Sequence, residues 1–358
     1  MRIAIDAREL IGQRTGVGRY LQEILNAWGD LSGASAHEFV LCAPAPVEAP
    51  PSLHASVATA RGRGTVWEQG VLPRLVQSAH ADVLFAPGYT GPLRGSVPMV
   101  VTIHDVSFAA HPEWFSWREG VRRRALTRWS AHRAARVITV SDFSKREIVR
   151  HLGVSQARVE VIYSGATTLP PARRVETGRF ILYVGSIFNR RHLPELIEGF
   201  DRLAKRSPDI RLEIVGDNRT RPSVDVASLI HRTSAARRIR ARSYVSDTEL
   251  SGLYATASVF AFLSDYEGFA MTPLDALAAG VPVVLLDTEV SREIYGPAAG
   301  YVERPDPDLI ATALERALFD DHERTRVLNA AAVQLERYSW RECAQRTLQV
   351  LLACATPG

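Results

Sequence analysis

Short runs of apolar, often β-branched residues recur along this chain, each followed by a longer amphipathic stretch, and the whole series starts afresh half-way along. Nearly continuous apolar runs suit strands buried on both faces, and the amphipathic intervals suit helices that cross over between parallel strands. The fold class is therefore α/β. In the first half the expected strands are Arg2–Asp6, Glu38–Cys42, Asp82–Ala86, Met99–Ile103, Val137–Val140 and Val159–Ile162. The second half restarts with Phe180–Val184, Leu212–Val215, Val259–Leu263 and Val283–Leu286. After Phe180–Val184, the residues Leu193, Leu196, Ile197, Phe200 and Leu203 recur at helical spacing, which predicts one face packed on a sheet. Between the halves lies SGATTLPPARRVETG, residues 164–178, whose paired prolines and lack of apolar period read as a linker. Two domains are expected, 1–170 and 171–337, followed by a partly apolar helical segment, 338–358, long enough to reach back across the boundary.

A chain of 358 residues can form two cores without metals or disulfides. No segment approaches the run of apolar residues that a membrane span needs, and the opening residues MRIAIDAREL lack a signal-peptide pattern, so a cytoplasmic location is expected. Cys42, Cys343 and Cys354 lie far apart and odd in number, which argues against a disulfide framework or a zinc site. Up to residue 170 there are 19 basic against 14 acidic residues, so the basic surface belongs to the first half. The stretch from Trp117 to Arg136 alone carries seven arginines with Leu126 and Trp129 interleaved. It is either a solvated basic face or a site for anionic lipid or a lipid-diphosphate. Nucleic acid is a poorer partner, since the net charge is only +4 and no platform of mixed aromatic and basic residues stands out.

Four loops could carry chemistry. In LIGQRTGVGRY, between the opening strand and a helix, Gly16 and Gly18 allow close backbone approach, and free amides at a helix N-terminus favour a phosphate. Taken alone, these glycines could make a simple turn or begin a dinucleotide-binding GxGxxG, although Leu21 stands where the third glycine belongs. In VGSIFNRRHLPEL, Arg190 and Arg191 precede a helix starting near Pro194, where they oppose its dipole unless something negative lies between them. A diphosphate would remove that conflict, and a solvated surface pair is the alternative. In FLSDYEGFAMTPLDALAAGVPVVLL, Glu267 follows an apolar strand, with Gly268 permitting a tight turn, and is a candidate ligand for sugar hydroxyls. Thr272 is expected to cap the next helix, with Pro273 at its first position and Asp275 completing a capping box. In VTIHDVSFAAHPEWF, His104 and Asp105 emerge beyond the C-terminal end of a strand, the edge where open α/β sheets bind ligands. Ser144 and Glu147 read as another capping box.

Taken in order, TGVGRY, TIHDVSF, VSDFSKREI, YVGSIFNRRHLPELI and SDYEGFAMTPLDALAAGVPVV resemble the retaining glycosyltransferases of family 4, over nearly the whole chain. The match is nearest to bacterial polysaccharide-assembly members, including mannosyltransferases. The resemblance implies a GT-B fold, two Rossmann-like domains facing across a cleft, with the acceptor held mainly by the first and the nucleotide-sugar mainly by the second. It also implies that the final helix returns to the first domain. Position by position, it implies that Arg190 and Arg191 meet the donor diphosphate, with Gly16 and Gly18 approaching from the opposite wall. Glu267 corresponds to the first carboxylate of an E-x7-E motif and is expected to hold donor-sugar hydroxyls, while the amides of Phe269, Ala270 and Met271 beside Gly268 meet the phosphates. His104 matches a histidine lining the reaction centre. Two positions depart from the pattern: Asp275 replaces the second Glu, and Arg191-His192 replaces the frequent Lys-Asn pair.

The resemblance thus implies transfer of a hexose, with GDP-mannose the preferred donor, to a hydroxyl of a glycan or lipid-linked acceptor with retention at the anomeric carbon. The nucleoside-diphosphate sugar is a co-substrate, and no cofactor or metal is implied; Asp306-Pro307-Asp308 has DxD spacing but sits in a proline-rich turn. A diphosphate oxygen, rather than a side chain, could take the acceptor's proton. Two other readings stay open: a non-catalytic sugar-nucleotide-binding subunit, motivated by Asp275, and an NAD-dependent oxidoreductase, resting on the glycine loop alone.

Overall fold

The computed structural model describes residues 1–12, 15–167 and 179–355. The chain divides into two compact units, one formed by Met1–Gly165 with Tyr338–Gly358, the other by Ala166–Arg337. Most of the proposed linker, residues 168–178, lies outside the described residues.

The first unit is built on strands β1 (Arg2–Asp6), β2 (Glu38–Ala43), β3 (Ala55–Thr59), β4 (Val83–Ala86), β5 (Met99–Thr102), β6 (Arg136–Thr139) and β7 (Val159–Val161). They pair in parallel in the order β3-β2-β1-β4-β5-β6-β7. The second unit carries β8 (Phe180–Val184), β9 (Arg211–Val215), β10 (Ile239–Arg242), β11 (Val259–Phe262), β12 (Val283–Leu286) and β13 (Gly300–Val302). Their order, β10-β9-β8-β11-β12-β13, is also parallel. Both orders reverse direction beside the opening strand of the unit, at β1/β4 and at β8/β11. Loops leaving two neighbouring parallel strands diverge there and open a crevice at the carboxyl edge.

Three strands go beyond the sequence expectation: β3, β10 and β13. Each lies at the end of its sheet. An edge strand is paired on one side only and is partly open to water, so it need not be a continuous apolar run. Thus β3 is ASVAT with largely exposed side chains, and β10 is IRAR.

The expected face of helix Leu193–Arg206 is buried as the spacing predicts, with Leu193, Leu196, Ile197, Phe200 and Leu203 in the core. Gly199 lets helix Pro307–Phe319 come close; a Cβ there would lie 2.8 Å from Ile310 Cγ2. The C-terminal helix, Trp340–Ala355, belongs to the first unit. Trp28 Nε1 donates to its Ala344 carbonyl at 2.8 Å, and Arg346 pairs with Glu160 on β7 at 2.8 Å. Trp28 also stacks on Phe39, so the wall between helix Gly16–Gly29 and β2 is continuous with the docking of the last helix.

Two capping boxes expected from sequence are not formed. Helix Asp142–Leu152 starts one turn before the predicted cap: Ser141 accepts from Ser144 N–H, and the Ser144 hydroxyl donates to the His104 carbonyl. Helix Met271–Ala278 begins before Thr272, with Ala270 in the left-handed region and no side-chain cap. Asp275 therefore sits inside that helix, 2% exposed, and accepts from the Thr167 N–H at 3.3 Å. Asp306 is itself an N-cap, accepting from Asp308 and Leu309 N–H. The three cysteines are unpaired.

Candidate active site

In the second unit, β8 and β11 are neighbours and point the same way, so the loops after them emerge side by side. The β8 loop runs through Gly185 and Ser186 into a short turn, Asn189–Arg191, which His192 ends in the left-handed conformation, φ 48°. The β11 loop runs from Leu263 to Ala270 and delivers helix Met271–Ala278. Three consecutive residues of the first loop bond to three consecutive residues of the second. Arg190 Nε donates to the Tyr266 carbonyl at 3.2 Å, Arg191 Nε to Glu267 Oε1 at 2.7 Å, and His192 Nε2 meets Asp265 Oδ2 at 2.7 Å. The Asp265 N–H donates back to the Arg190 carbonyl at 2.9 Å.

Arg191 is the centre of this arrangement. Its Nη1 donates to the Ser186 carbonyl at 2.8 Å, and its guanidinium lies over Phe262, 4.7 Å from the ring centroid. Gly185 makes room for it, with φ 148°; a Cβ at that position would come 2.8 Å from Arg191 Nη1. The sequence expectation gave Arg191 a diphosphate to relieve its conflict with the following helix. The structure gives it Glu267, an anion of the protein itself.

Glu267 also accepts from Ser264 Oγ at 2.8 Å, and both bonds fall on Oε1. Burial opposes the charge on Glu267, but Arg191 and Arg190 outweigh it and hold its carboxyl below the usual range. Arg190 lies over Phe188, 4.3 Å from the ring centroid. Beyond Gly268 and Phe269, the N-terminus of helix Met271–Ala278 lacks a side-chain cap, which leaves the positive end of its dipole beside these cations. Such a corner suits a polyanion with one carboxylate fixed in its wall.

In the first unit the other predicted residues lie past β1, at the β1/β4 reversal, and past β5. Helix Gly16–Gly29 starts there, but the expected free amides are partly used: Thr15 Oγ1 accepts from the Gly18 N–H at 3.4 Å. Leu21 is fully buried in this helix. His104, just past β5, has Nε2 2.9 Å from the Pro87 carbonyl and its ring edge-on to Tyr20, centroids 4.8 Å apart. A carbonyl only accepts, so Nε2 carries the hydrogen. Burial pushes the His104 pKa down, against smaller opposing effects of Pro87 and Asp105, and the imidazole is neutral. Asp105 accepts from the Ser107 N–H and from the Tyr89 hydroxyl.

Residues 14–168 match the model of Glycosyltransferase Family 4, and residues 168–334 that of Glycosyl transferases group 1. The GDP-mannose:cellobiosyl-diphosphopolyprenol alpha-mannosyltransferase of Xanthomonas campestris is 30% identical over 277 residues, covering 72% of this chain and 68% of that protein. The chain belongs to glycosyltransferase family 4. The enzyme is also 28% identical over 262 residues to O-antigen chain mannosyltransferase B of Escherichia coli, covering 70% of this chain and 68% of that one. In fold it is similar to Anabaena HepE solved with UDP-glucose, with a TM-score of 0.78 at 18% identity over 99% of this chain and 100% of that one. The fold is thus GT-B, and the activity is glycosyl transfer.

Four residues of the β8/β11 corner were not singled out as site residues from sequence: Ser186, His192, Ser264 and Asp265. Only His192 left a trace, as half of the pair that departs from Lys-Asn. His192 stands in the left-handed region, which His and Asn tolerate better than most side chains.

Proposed function

We propose that this glycosyltransferase moves a hexose, mannose from GDP-mannose, to a hydroxyl of a glycan or lipid-diphosphate-linked acceptor in polysaccharide assembly, with retention and without a metal. The observation that carries the reading is the β8/β11 corner, where Arg190, Arg191 and an uncapped helix N-terminus surround Glu267. Negative charge grows on the leaving diphosphate, so cations and dipoles fixed beforehand act most strongly in the transition state. Glu267 Oε2 is proposed to take a sugar hydroxyl, with Oε1 held by Arg191 and Ser264. Gly16 and Gly18 are proposed to approach the diphosphate, Asp275 to contact the nucleoside, and neutral His104 to accept a sugar hydroxyl at Nδ1. The mannose assignment is supported by the two mannosyltransferase relatives.

A thermal-shift panel of GDP, UDP, dTDP, ADP and NAD at matched concentration tests the donor, since selective binding to the folded state raises apparent stability. GDP is expected to give the largest shift, and GDP-mannose to support transfer in EDTA. A larger shift with UDP would replace the donor, binding without transfer would favour a non-catalytic subunit, and a response to NAD alone would overturn the reading.

A membrane-borne acceptor is supported by helix Trp117–Arg133. Trp117 and Trp129 are 79% and 57% exposed, with Val121 also exposed, among Arg118, Arg122, Arg124 and Arg128 on the open side of the helix. Amphipathic tryptophans and guanidinium groups suit the headgroup layer of an anionic bilayer. No described helix is long and apolar enough to cross a membrane, so the proposed contact is peripheral. The enzyme is expected to sediment with vesicles containing phosphatidylglycerol, less so as salt rises, and less after W117A/W129A. Equal sedimentation at low and high salt and in that variant would remove the membrane from the proposal.

A further inference from the structure

We propose that His192 is a positioning residue: through Asp265 it clamps the Asn189–Arg191 turn to the loop after β11, and so fixes the spacing between Arg190, Arg191 and the backbone of residues 268–271. The inference rests on the reading that a nucleoside diphosphate binds at this corner. It gives a role to a side chain that neither cation function nor sugar contact requires.

The geometry is that of a latch. His192 stands in the left-handed region at the hinge between the turn and helix Leu193–Arg206, so its backbone sets the direction in which both leave. Its Nε2 lies 2.7 Å from Asp265 Oδ2 across the gap between the loops, and its Nδ1 lies 3.6 Å from Glu195 Oε1 on its own helix. Asp265 in turn holds the Arg190 carbonyl through its N–H. One imidazolium thus joins the far loop to the first turn of the helix behind the cations. The charged groups around it are Asp265 and Glu195 in direct contact, with Arg190, Arg191 and Glu267 in the adjoining pairs.

Nε2 bonds to one carboxylate and Nδ1 faces a second at 3.6 Å, which favours the doubly protonated ring. Burial opposes that charge, but the bonds to Asp265 and Glu195 outweigh it, and the His192 pKa is raised to about 9. The clamp is therefore complete below about 6.5, the ordinary histidine value, and is lost as pH rises through about 9.

The test is GDP binding by titration calorimetry, or UDP if that is the diphosphate bound, between pH 7 and 10, for the parent, H192N, D265N and the double variant. Asn tolerates the left-handed backbone, so H192N removes the charge without straining the turn. Each single variant is expected to bind about three- to tenfold more weakly at pH 7.5, a range set by a half-exposed ion pair. Each should also lose the alkaline weakening that the parent shows. The double variant should be no worse than either single one, because both remove the same contact. In transfer assays kcat should fall along with donor affinity, since the cations that the clamp positions act most strongly in the transition state. A melting curve for H192N like the parent's separates positioning from loss of fold. Parent affinity and slope in H192N would overturn the clamp alone, whereas a parent that binds no nucleoside diphosphate would remove the donor reading and the clamp with it.

Discussion

Replacing Arg191 by alanine is expected to lower sugar transfer by at least about a hundredfold and to destabilise the second unit by about 3–5 kcal/mol. The stability loss follows from what remains behind. Glu267 is only 14% exposed in its side chain and Arg191 12%, so the variant leaves a buried carboxylate with the Ser264 hydroxyl but without its ion pair. The Ser186 carbonyl loses a donor in the same step, and the face of Phe262 loses its cation. Lysine should restore charge but little geometry, because Arg191 uses Nε for Glu267 and Nη1 for Ser186, two acceptors that a single ammonium serves poorly. Urea unfolding of R191A, R191K, E267Q and R191A/E267Q distinguishes the contributions. The double variant should be more stable than R191A, since it no longer strands a charge. An R191A protein that unfolds at the parent's midpoint would show that Glu267 does not depend on this pair.

The parts of the fold most readily read from sequence are those buried on both faces, although the edge strand β7 was expected as well. β1, β4, β5, β8, β11 and β12 are apolar runs because water reaches neither side of them, whereas β3, β10 and β13 face solvent at an edge and carry no such pattern. Arg190, Arg191 and Glu267 were legible as candidates because each stands just beyond a recognisable strand. Their arrangement was not legible. Whether Arg191 meets a ligand or Glu267 depends on β8 and β11 being neighbours, and the paired residues are 76 positions apart. The same holds for His192 and Asp265. The capping boxes failed for a local reason. The Thr-x-x-Asp spacing at Thr272 is real, but the left-handed Ala270 starts the helix earlier, which turns Asp275 into a buried acceptor for Thr167.

Arg8 shows how much of a site can pass unmarked in sequence, and its alanine variant carries the second large expected effect. One guanidinium serves two buried carboxylates at the β1/β4 reversal: Arg8 Nη2 lies 3.0 Å from Asp6 Oδ2 and 2.7 Å from Glu68 Oε1. Asp6 ends β1, Glu68 lies in the turn Trp67–Val71, and each is 2% exposed. The Thr90 hydroxyl, just past β4, donates to the same Glu68 oxygen at 2.5 Å, so the cluster ties together three segments at this edge of the sheet. Even with Arg8 in place, burial pushes the Asp6 carboxyl up to about 6 from an ordinary 3.8. The folded unit therefore takes up a proton more readily than the unfolded chain between those values, and Asp6 costs stability that is fully felt above pH 6 and relieved as pH falls towards 4. R8A should cost about 3–5 kcal/mol at pH 8, where the buried Asp6 carboxylate is left without its ion pair. The loss should shrink towards pH 5, where the Asp6 carboxyl, raised further in the variant, is protonated. Urea midpoints for the parent, R8A and R8A/D6N at pH 8 and pH 5 decide it. A loss that is the same at both pH values would mean that Arg8 acts by packing rather than by charge. Rescue by D6N at pH 8 would show that a buried anion, and not the missing guanidinium contacts, is what the unit cannot bear.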